Sequence, residues 1–269
     1  MKPLDFKYVY HSHTHRCGHS IGTDEQFVLD AIEQGVKILC FTDHTPIPNC
    51  HQPKVRMEME DIDDYISSIN YLKNKYKDKI EIHLALEAEN FPGHNDYLYD
   101  FIKNKGIEYI ILGQHVVMID GNIVWLMNEN YPKQVIIDTY VNSIIDALES
   151  GLTKYVAHPD LLISNLGEFS KEVELGLRKV VECAIKHDAY IEVNCHGLYY
   201  LGDDEFAYPN KYFWNMVKKD YPEAKITLGL DIHNLDEYEN NIWAPKALAL
   251  VKEVGLNLTS EIDVEGELI

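Results

Sequence analysis

The chain has 269 residues, of which 46% are hydrophobic, and its formal net charge at pH 7 is −20. This is enough apolar sequence for one large domain with a full core, and the length is close to the roughly 250 residues of a (β/α) barrel. The charge argues against a nucleic-acid partner, which usually needs a basic surface. It does not exclude a small anionic substrate, because charges more than roughly 8 Å away are largely screened at physiological salt.

The composition predicts neither a membrane protein nor an exported one. The sequence has no long uncharged apolar run, and its first residues lack the apolar stretch of a secretory signal. The five cysteines include no CxxC pair and are expected to be reduced thiols in a cytoplasmic protein. No linker rich in Pro, Gly or Ser divides the chain, so we expect a single domain over residues 1–269.

Strand and helix patterns alternate along the chain. Seven β-branched or apolar runs predict strands, at residues 5–11, 36–44, 80–90, 107–115, 155–160, 189–197 and 224–233. Stripes with helical spacing lie between them, and the first stripe starts at a capping box of Thr23 and Gln26 and ends at Gly35. Alternation of this kind predicts a parallel sheet. Residues 116–130 show no clear pattern, and we interpret them as a candidate lid.

The first strand leads into a stretch, residues 10–20, that contains four histidines. His11 and His13 lie two apart, so on a strand their side chains point to the same face. Neutral imidazole is the commonest metal ligand, which favours a metal site over the alternative of a solvated histidine-rich turn. We expect His15 to lie behind the ligands or to face the substrate.

Potential metal ligands recur where the predicted strands end. They are His11, His13, His19, His44, Glu87, His115, His158, Asp231 and His233. Active sites of parallel α/β folds lie at this C-terminal face of the sheet. An open sheet would spread the strand ends over about 25–30 Å, at about 4.8 Å per strand, whereas a barrel gathers them at one mouth. The pattern therefore favours a closed barrel with one polynuclear metal site.

The motifs HxHTH…GH, TDH, LEAEN, GQH, AHPD and LDIH together resemble the polymerase-and-histidinol-phosphatase (PHP) superfamily over nearly the whole chain. The Arg56-Met57 pair and the segment VNCHGL resemble its histidinol-phosphatase branch. The resemblance implies a distorted (β/α)7 barrel with outer helices, an active site at the C-terminal face and three divalent ions of Zn, Mn or Fe. It assigns His11, His13, Glu87 and Asp231 to one ion, Glu87 as a bridge with His115 and His158 to the second, and His19, His44 and His233 to the third.

Three divalent ions and two carboxylates would leave a cationic pocket that suits a phosphate ester. Activated water would attack phosphorus in line, while the ions stabilise the developing charge. We expect the bridging Glu87 to be catalytic, together with Asp231 or His233 as the candidate proton donor to the leaving alkoxide. The candidate substrate-binding residues are Arg56 and Arg16 for phosphate, Asp160 for an amine and His196 in the pocket lining.

The resemblance implies that the chain hydrolyses L-histidinol phosphate to L-histidinol and phosphate in histidine biosynthesis. One alternative is a PHP phosphoesterase that acts on a nucleotide, nucleic-acid or tyrosine phosphate. The small number of arginines, three in the whole chain, and the negative net charge both count against a polynucleotide substrate. Another alternative is a metal-binding or storage module without catalysis. Neither a nucleic acid nor a membrane is expected as a partner, and the sequence leaves the oligomeric state open.

Overall fold

The computed structural model describes residues 7–202, 204–235 and 243–262. Its strands are β1 (Tyr8–Val9), β2 (Ile38–His44), β3 (Glu81–Ala88), β4 (Tyr109–Leu112), β5 (Val116–Ile119), β6 (Asn122–Trp125), β7 (Tyr155–Val156), β8 (Tyr190–Asn194) and β9 (Lys225–Gly229). Its helices are α1 (Asp24–Glu33), α2 (Ile62–Tyr76), α3 (Asp96–Lys105), α4 (Lys133–Glu149), α5 (Leu161–Leu166), α6 (Lys171–Lys186), α7 (Gly197–Leu201), α8 (Lys211–Asp220) and α9 (Trp243–Val254). Within these residues, each helix is too short or too polar to cross a bilayer.

Seven strands form one parallel sheet in the order β1-β2-β3-β4-β7-β8-β9. Two isolated parallel bridges, Ser12 with Ile232 and Ile21 with Asn234, join the segments that follow the two edge strands. At this seam the His13 amide donates a hydrogen bond to the Ile232 carbonyl at 2.8 Å. The sheet is therefore a nearly closed barrel surrounded by helices, and the predicted fold class is confirmed.

The barrel interior is filled by a small cluster of aromatic and small side chains. Its buried members are Tyr10, Cys40, Ala85, Tyr109, Ile111, Tyr155, Ala157 and Ile262. The Ile262 amide donates a hydrogen bond to the Tyr10 hydroxyl at 2.8 Å, so the end of the described chain packs into the barrel. A much larger apolar layer lies between the sheet and the helices. The extension of one domain over residues 1–269 stays a prediction, since some of these residues lie outside the described ranges.

Residues 116–130 depart from the expectation of a pattern-free loop. They contain the antiparallel hairpin β5–β6, in which Val116 pairs with Trp125. The turn is Asp120-Gly121, with φ of 52° and 74°. Asp-Gly with two positive φ values is a common two-residue hairpin turn, and it was the local signal for this element. Trp125 at the end of the hairpin lines the pocket described below, whereas a lid motion stays a prediction.

Candidate metal centre

Four of the predicted ligands form a compact cage at the barrel seam. The Nε2 atoms of His11 and His13 are 3.1 Å apart. Glu87 Oε2 lies 3.3 and 3.4 Å from these two nitrogens, and Asp231 Oδ1 lies 3.4 and 3.0 Å from them. Around an ion with bonds of about 2.0–2.1 Å, the ligand atoms of a tetrahedron are about 3.3–3.4 Å apart. The cage therefore has the dimensions of a four-coordinate metal site.

A second group shares the Glu87 carboxylate. Glu87 Oε1 lies 2.9 Å from His158 Nε2 and 3.5 Å from His115 Nε2, while Oε2 faces the first cage. The two oxygens of this side chain thus face different sets of imidazoles. Such an arrangement allows one carboxylate to bridge two ions, as the resemblance implies.

The remaining three predicted ligands form a looser set. The His233 ring stacks on that of His19, with centroids 4.6 Å apart, and the His19 and His44 rings are 5.7 Å apart. His233 also stacks on His13 at 4.2 Å, and His44 Nδ1 lies 3.0 Å from Glu87 Oε2. These imidazoles consequently adjoin the first cage, and the nine predicted ligands converge on one mouth of the barrel.

Buried carboxylate oxygens indicate that the centre is built for cations. Glu87 and Asp231 are 1% and 5% exposed, and Glu87 Oε2 and Asp231 Oδ1 have no hydrogen-bond donor of suitable geometry in the described part of the chain. A buried ionised carboxylate is costly unless a positive charge is close. Imidazole nitrogens with a few carboxylates suit Zn, Mn or Fe, so the side chains present fit the implied divalent ions.

A second layer of hydrogen bonds orients the imidazoles. His11 Nδ1 lies 2.9 Å from Glu192 Oε2, and His115 Nδ1 lies 3.2 Å from Glu89 Oε1. Bonds of this kind aim Nε2 at a metal and make the imidazole a better donor. Neither glutamate was among the residues predicted from the sequence, although each carried a signal. Glu192 interrupts a buried apolar strand, and Glu89 lies two residues beyond Glu87.

Backbone conformation at the strand ends makes room for these side chains. An added Cβ at Gly113 would lie 1.8 Å from Glu87 Oε1, and one at Gly229 would lie 2.0 Å from Glu192 Oε2. Two predicted ligands, His158 and Asp231, have positive φ values of 31° and 54°. Residues other than glycine seldom adopt this region, and such strain is concentrated at functional sites.

The charged groups of the centre shift one another's pKa values. Burial alone would raise the pKa of the Glu87 carboxyl, but His11 and the neighbouring imidazoles hold it well below its usual range. Burial opposes protonation of His13, yet the adjacent carboxylates of Asp231 and Asp43 raise its pKa to about 9. At His44 burial prevails and lowers the pKa to about 3. The carboxylates are therefore ionised and attract positive charge, and metal binding would displace a proton from His13.

A cavity of about 340 Å³ opens beside these groups. It is lined by His19, His44, Lys54, Val55, His115, Trp125, His196, Tyr208, Asp231 and His233. The structure places His196 in this lining as expected, with its ring 4.3 Å from that of His233. Lys54 was not among the residues predicted from the sequence, where the phosphate ligands expected were arginines.

Both arginines predicted to bind phosphate are engaged by acidic side chains. Arg56 is 1% exposed and forms a bidentate pair with Glu89, with both N···O distances 2.8 Å. Arg16 donates to Asp24 at 2.9 Å and to Asp64 at 2.6 Å. Each guanidinium is held by carboxylates outside the cavity lining, and phosphate binding by either arginine stays a prediction that would require these ion pairs to break.

Two further candidates also lie away from the cavity. Asp160 is buried and accepts hydrogen bonds from the Asn210 amide at 2.6 Å and from Trp214 Nε1 at 3.0 Å. This carboxylate therefore anchors the start of α8, and its binding of a substrate amine stays a prediction. The exposed His15 lies 3.6 Å from Asp24 and outside the cavity lining.

The chain is similar to a family model and to proteins of known name. The family model described as "PHP domain" matches residues 10–196. A "Probable histidinol-phosphatase" of Deinococcus radiodurans is 31% identical over 105 residues, which cover 39% of this chain and 40% of that protein. The histidinol-phosphatase of Lactococcus lactis is 24% identical over 271 residues, which cover 96% of this chain and 93% of that relative.

A solved structure has the same fold. The crystal structure of histidinol phosphate phosphatase from Lactococcus lactis, complexed with Zn, L-histidinol and phosphate, superposes with a TM-score of 0.70. The alignment covers 94% of this chain and 95% of that chain, with 20% sequence identity. At this low sequence identity, the structural similarity shows a shared fold and nothing further.

Proposed function

The chain belongs to the PHP domain family, and on that premise we propose that it hydrolyses L-histidinol phosphate to L-histidinol and phosphate. The observation that carries the proposal is the convergence of nine imidazole and carboxylate side chains beside one open cavity. Two relatives that align with this chain over most of their length are named as histidinol-phosphatases, and their names support the proposed substrate. A storage module would not require a cavity of this size next to its ligands.

The proposed centre holds three divalent ions of Zn, Mn or Fe. His11, His13, Glu87 and Asp231 would hold one ion, Glu87 with His115 and His158 the second, and His19, His44 and His233 the third. When bound, such ions lower the pKa of water and neutralise the charge of a phosphate ester. The buried Glu87 carboxylate supports this role, because it presents one oxygen to each of two imidazole groups.

Asp231 and His233 remain the candidates for proton transfer to the leaving alkoxide. His233 Nδ1 lies 2.9 Å from the Asp231 carbonyl oxygen, and its N–H can donate to that oxygen. Its Nε2 is then a lone-pair donor, which suits a ligand better than an acid. The pKa of Asp231 is held well below its usual range by His11 and other imidazoles, against the effect of burial. An ionised Asp231 can accept the proton of the attacking water and return it to the leaving oxygen.

The proposal places the protein in the cytoplasm, in a histidine-biosynthetic role. The five cysteines all lie in the described residues and form no disulfide, which is consistent with a reducing compartment. The expected partner is a small phosphorylated molecule. The acidic composition disfavours a nucleic-acid substrate.

The test is a substrate panel on purified protein, before and after removal of metal with a chelator. We expect histidinol phosphate to be hydrolysed with a much higher kcat/KM than p-nitrophenyl phosphate, phosphotyrosine, a nucleoside monophosphate or single-stranded DNA. The chelated protein should be inactive and should recover when Zn or Mn is added back. Equal rates across the panel, or preference for another ester, would contradict the proposed substrate. Activity that survives chelation would contradict the metal requirement.

A further inference from the structure

The cavity lining contains a cationic side chain that the metal centre does not use. Among the described residues, Lys54 is the one lysine or arginine that lines the cavity. It is exposed, and the structure gives it no acidic side chain within ion-pair distance among those residues. This distinguishes Lys54 from Arg16 and Arg56, whose charges are matched by Asp24, Asp64 and Glu89.

The turn that carries Lys54 packs against the backbone next to His19. An added Cβ at Gly18 would lie 1.9 Å from the Pro53 carbonyl oxygen and 2.9 Å from the Lys54 Cα. The backbone before Lys54 therefore packs directly against the residue before His19. Gly18 also has a φ of 78°, which a side chain would disfavour.

A chain of hydrogen bonds links the same turn to His115. The amides of Val55 and Arg56 both donate to the Gln52 carbonyl, at 2.9 and 3.0 Å, which closes a tight turn around Lys54. Two residues after Lys54, the Arg56 guanidinium donates to Glu89 and to the Thr45 carbonyl. Glu89 in turn bonds His115. The arginine expected to bind substrate thus fixes the turn that presents the lysine.

We propose that Lys54 binds the phosphoryl group of the substrate through its Nζ. This inference rests on the proposed phosphomonoesterase activity. A phosphate monoester carries about two negative charges near neutral pH, and the cavity otherwise exposes imidazoles, aromatic rings and a carboxylate. Lysine binds phosphate as a flexible point charge, and its reach suits a turn at the rim of a cavity.

The experiment compares Lys54→Gln and Lys54→Arg with the control variant Lys103→Gln. Lys103 is an exposed residue of α3 and its substitution removes the same charge. The measurements are kcat and KM for histidinol phosphate and for p-nitrophenyl phosphate, and the inhibition constant of inorganic phosphate. We expect Lys54→Gln to raise both KM values and the phosphate inhibition constant by about 10- to 100-fold. Lys54→Arg should largely restore them, and Lys103→Gln should match the wild type.

Several outcomes would overturn the assignment. Unchanged constants in Lys54→Gln would exclude contact with phosphate, and a loss confined to histidinol phosphate would indicate contact with the alcohol portion instead. A fall in kcat with lower metal content would indicate a structural role. If the wild type hydrolyses p-nitrophenyl phosphate but not histidinol phosphate, the proposed substrate fails while the test of Lys54 still stands. If neither ester is hydrolysed, the calorimetric affinity of the zinc-loaded protein for inorganic phosphate decides the role of Lys54.

Discussion

Substitution of Gly113 by alanine tests whether the Glu87 carboxylate is a metal ligand. The added Cβ would lie 1.8 Å from Glu87 Oε1 and 2.5 Å from its Cδ, whereas ordinary van der Waals contact begins at 3.4 Å. The carboxylate would have to retreat by roughly 1.5 Å in a close-packed interior. Metal–ligand distances in functional sites hold to within about 0.2 Å, so a shift of this size breaks the coordination of Glu87.

We expect Gly113→Ala to lower kcat/KM for the phosphate ester by at least about 100-fold, because even a 1 Å misplacement can have that effect. The metal content of the purified protein, measured by elemental analysis, should also fall. Gly113 does not need a positive φ, so alanine is not excluded by backbone conformation. The protein should still fold, which a circular-dichroism melt would check.

The matched control is Gly176→Ala on α6. There the added Cβ would meet Val141 Cγ2 at 2.9 Å and Ile137 Cγ2 at 3.2 Å, on the apolar face of α4, and neither residue is a predicted metal ligand. Overpacking of this kind costs about 1–3 kcal/mol of stability. The control should therefore lower the melting temperature while metal content and kcat/KM stay at wild-type values. Wild-type metal content and activity in Gly113→Ala would refute the assignment of Glu87 as a ligand.

Three further predictions follow from the same centre and from the opposite end of the barrel. Glu192→Gln removes the charge that orients His11 and should weaken zinc affinity by about 10- to 100-fold in a chelator competition, and an unchanged affinity would contradict that role. Removal of metal should lower the stability of the wild type by about 2.7 kcal/mol relative to protein with free metal at 100 times its dissociation constant, visible as a lower melting temperature. A melting temperature that does not change on chelation would be inconsistent with a bound metal ion. His83 is buried, which opposes its protonation, but bonding to Glu108 and Glu81 prevails and raises its pKa. Its contribution to the free energy of unfolding should be complete below about pH 6.5 and decline as the pH rises through the folded pKa. His83→Gln should consequently lose more stability at pH 6 than at pH 9 in denaturant titrations. An equal loss at both pH values would contradict this prediction.

Local patterns in the sequence predicted the barrel and placed the ligand candidates at the ends of its strands. A buried parallel strand has an apolar run, and the polar residue that ends it must lie at one edge of the sheet. His44, Glu87 and His115 could be placed in this way because strand periodicity and strand direction are local properties. The hairpin at residues 116–125 carried an equally local signal in Asp120-Gly121, which was overlooked.

Local patterns could not predict which charged side chains form ion pairs with each other. Arg56 and Arg16 had the right charge for phosphate, but carboxylates from other strands and helices engage them. No local pattern marks Lys54, and only the packing of Pro53 on Gly18 places it at the cavity. The sequence of this protein thus determines which residue types lie at the carboxyl edge of its sheet, since that depends on alternation along single strands. Only the tertiary structure decides which charges are neutralised and which remain exposed to a substrate, because ion pairing depends on segments that meet only when the barrel closes.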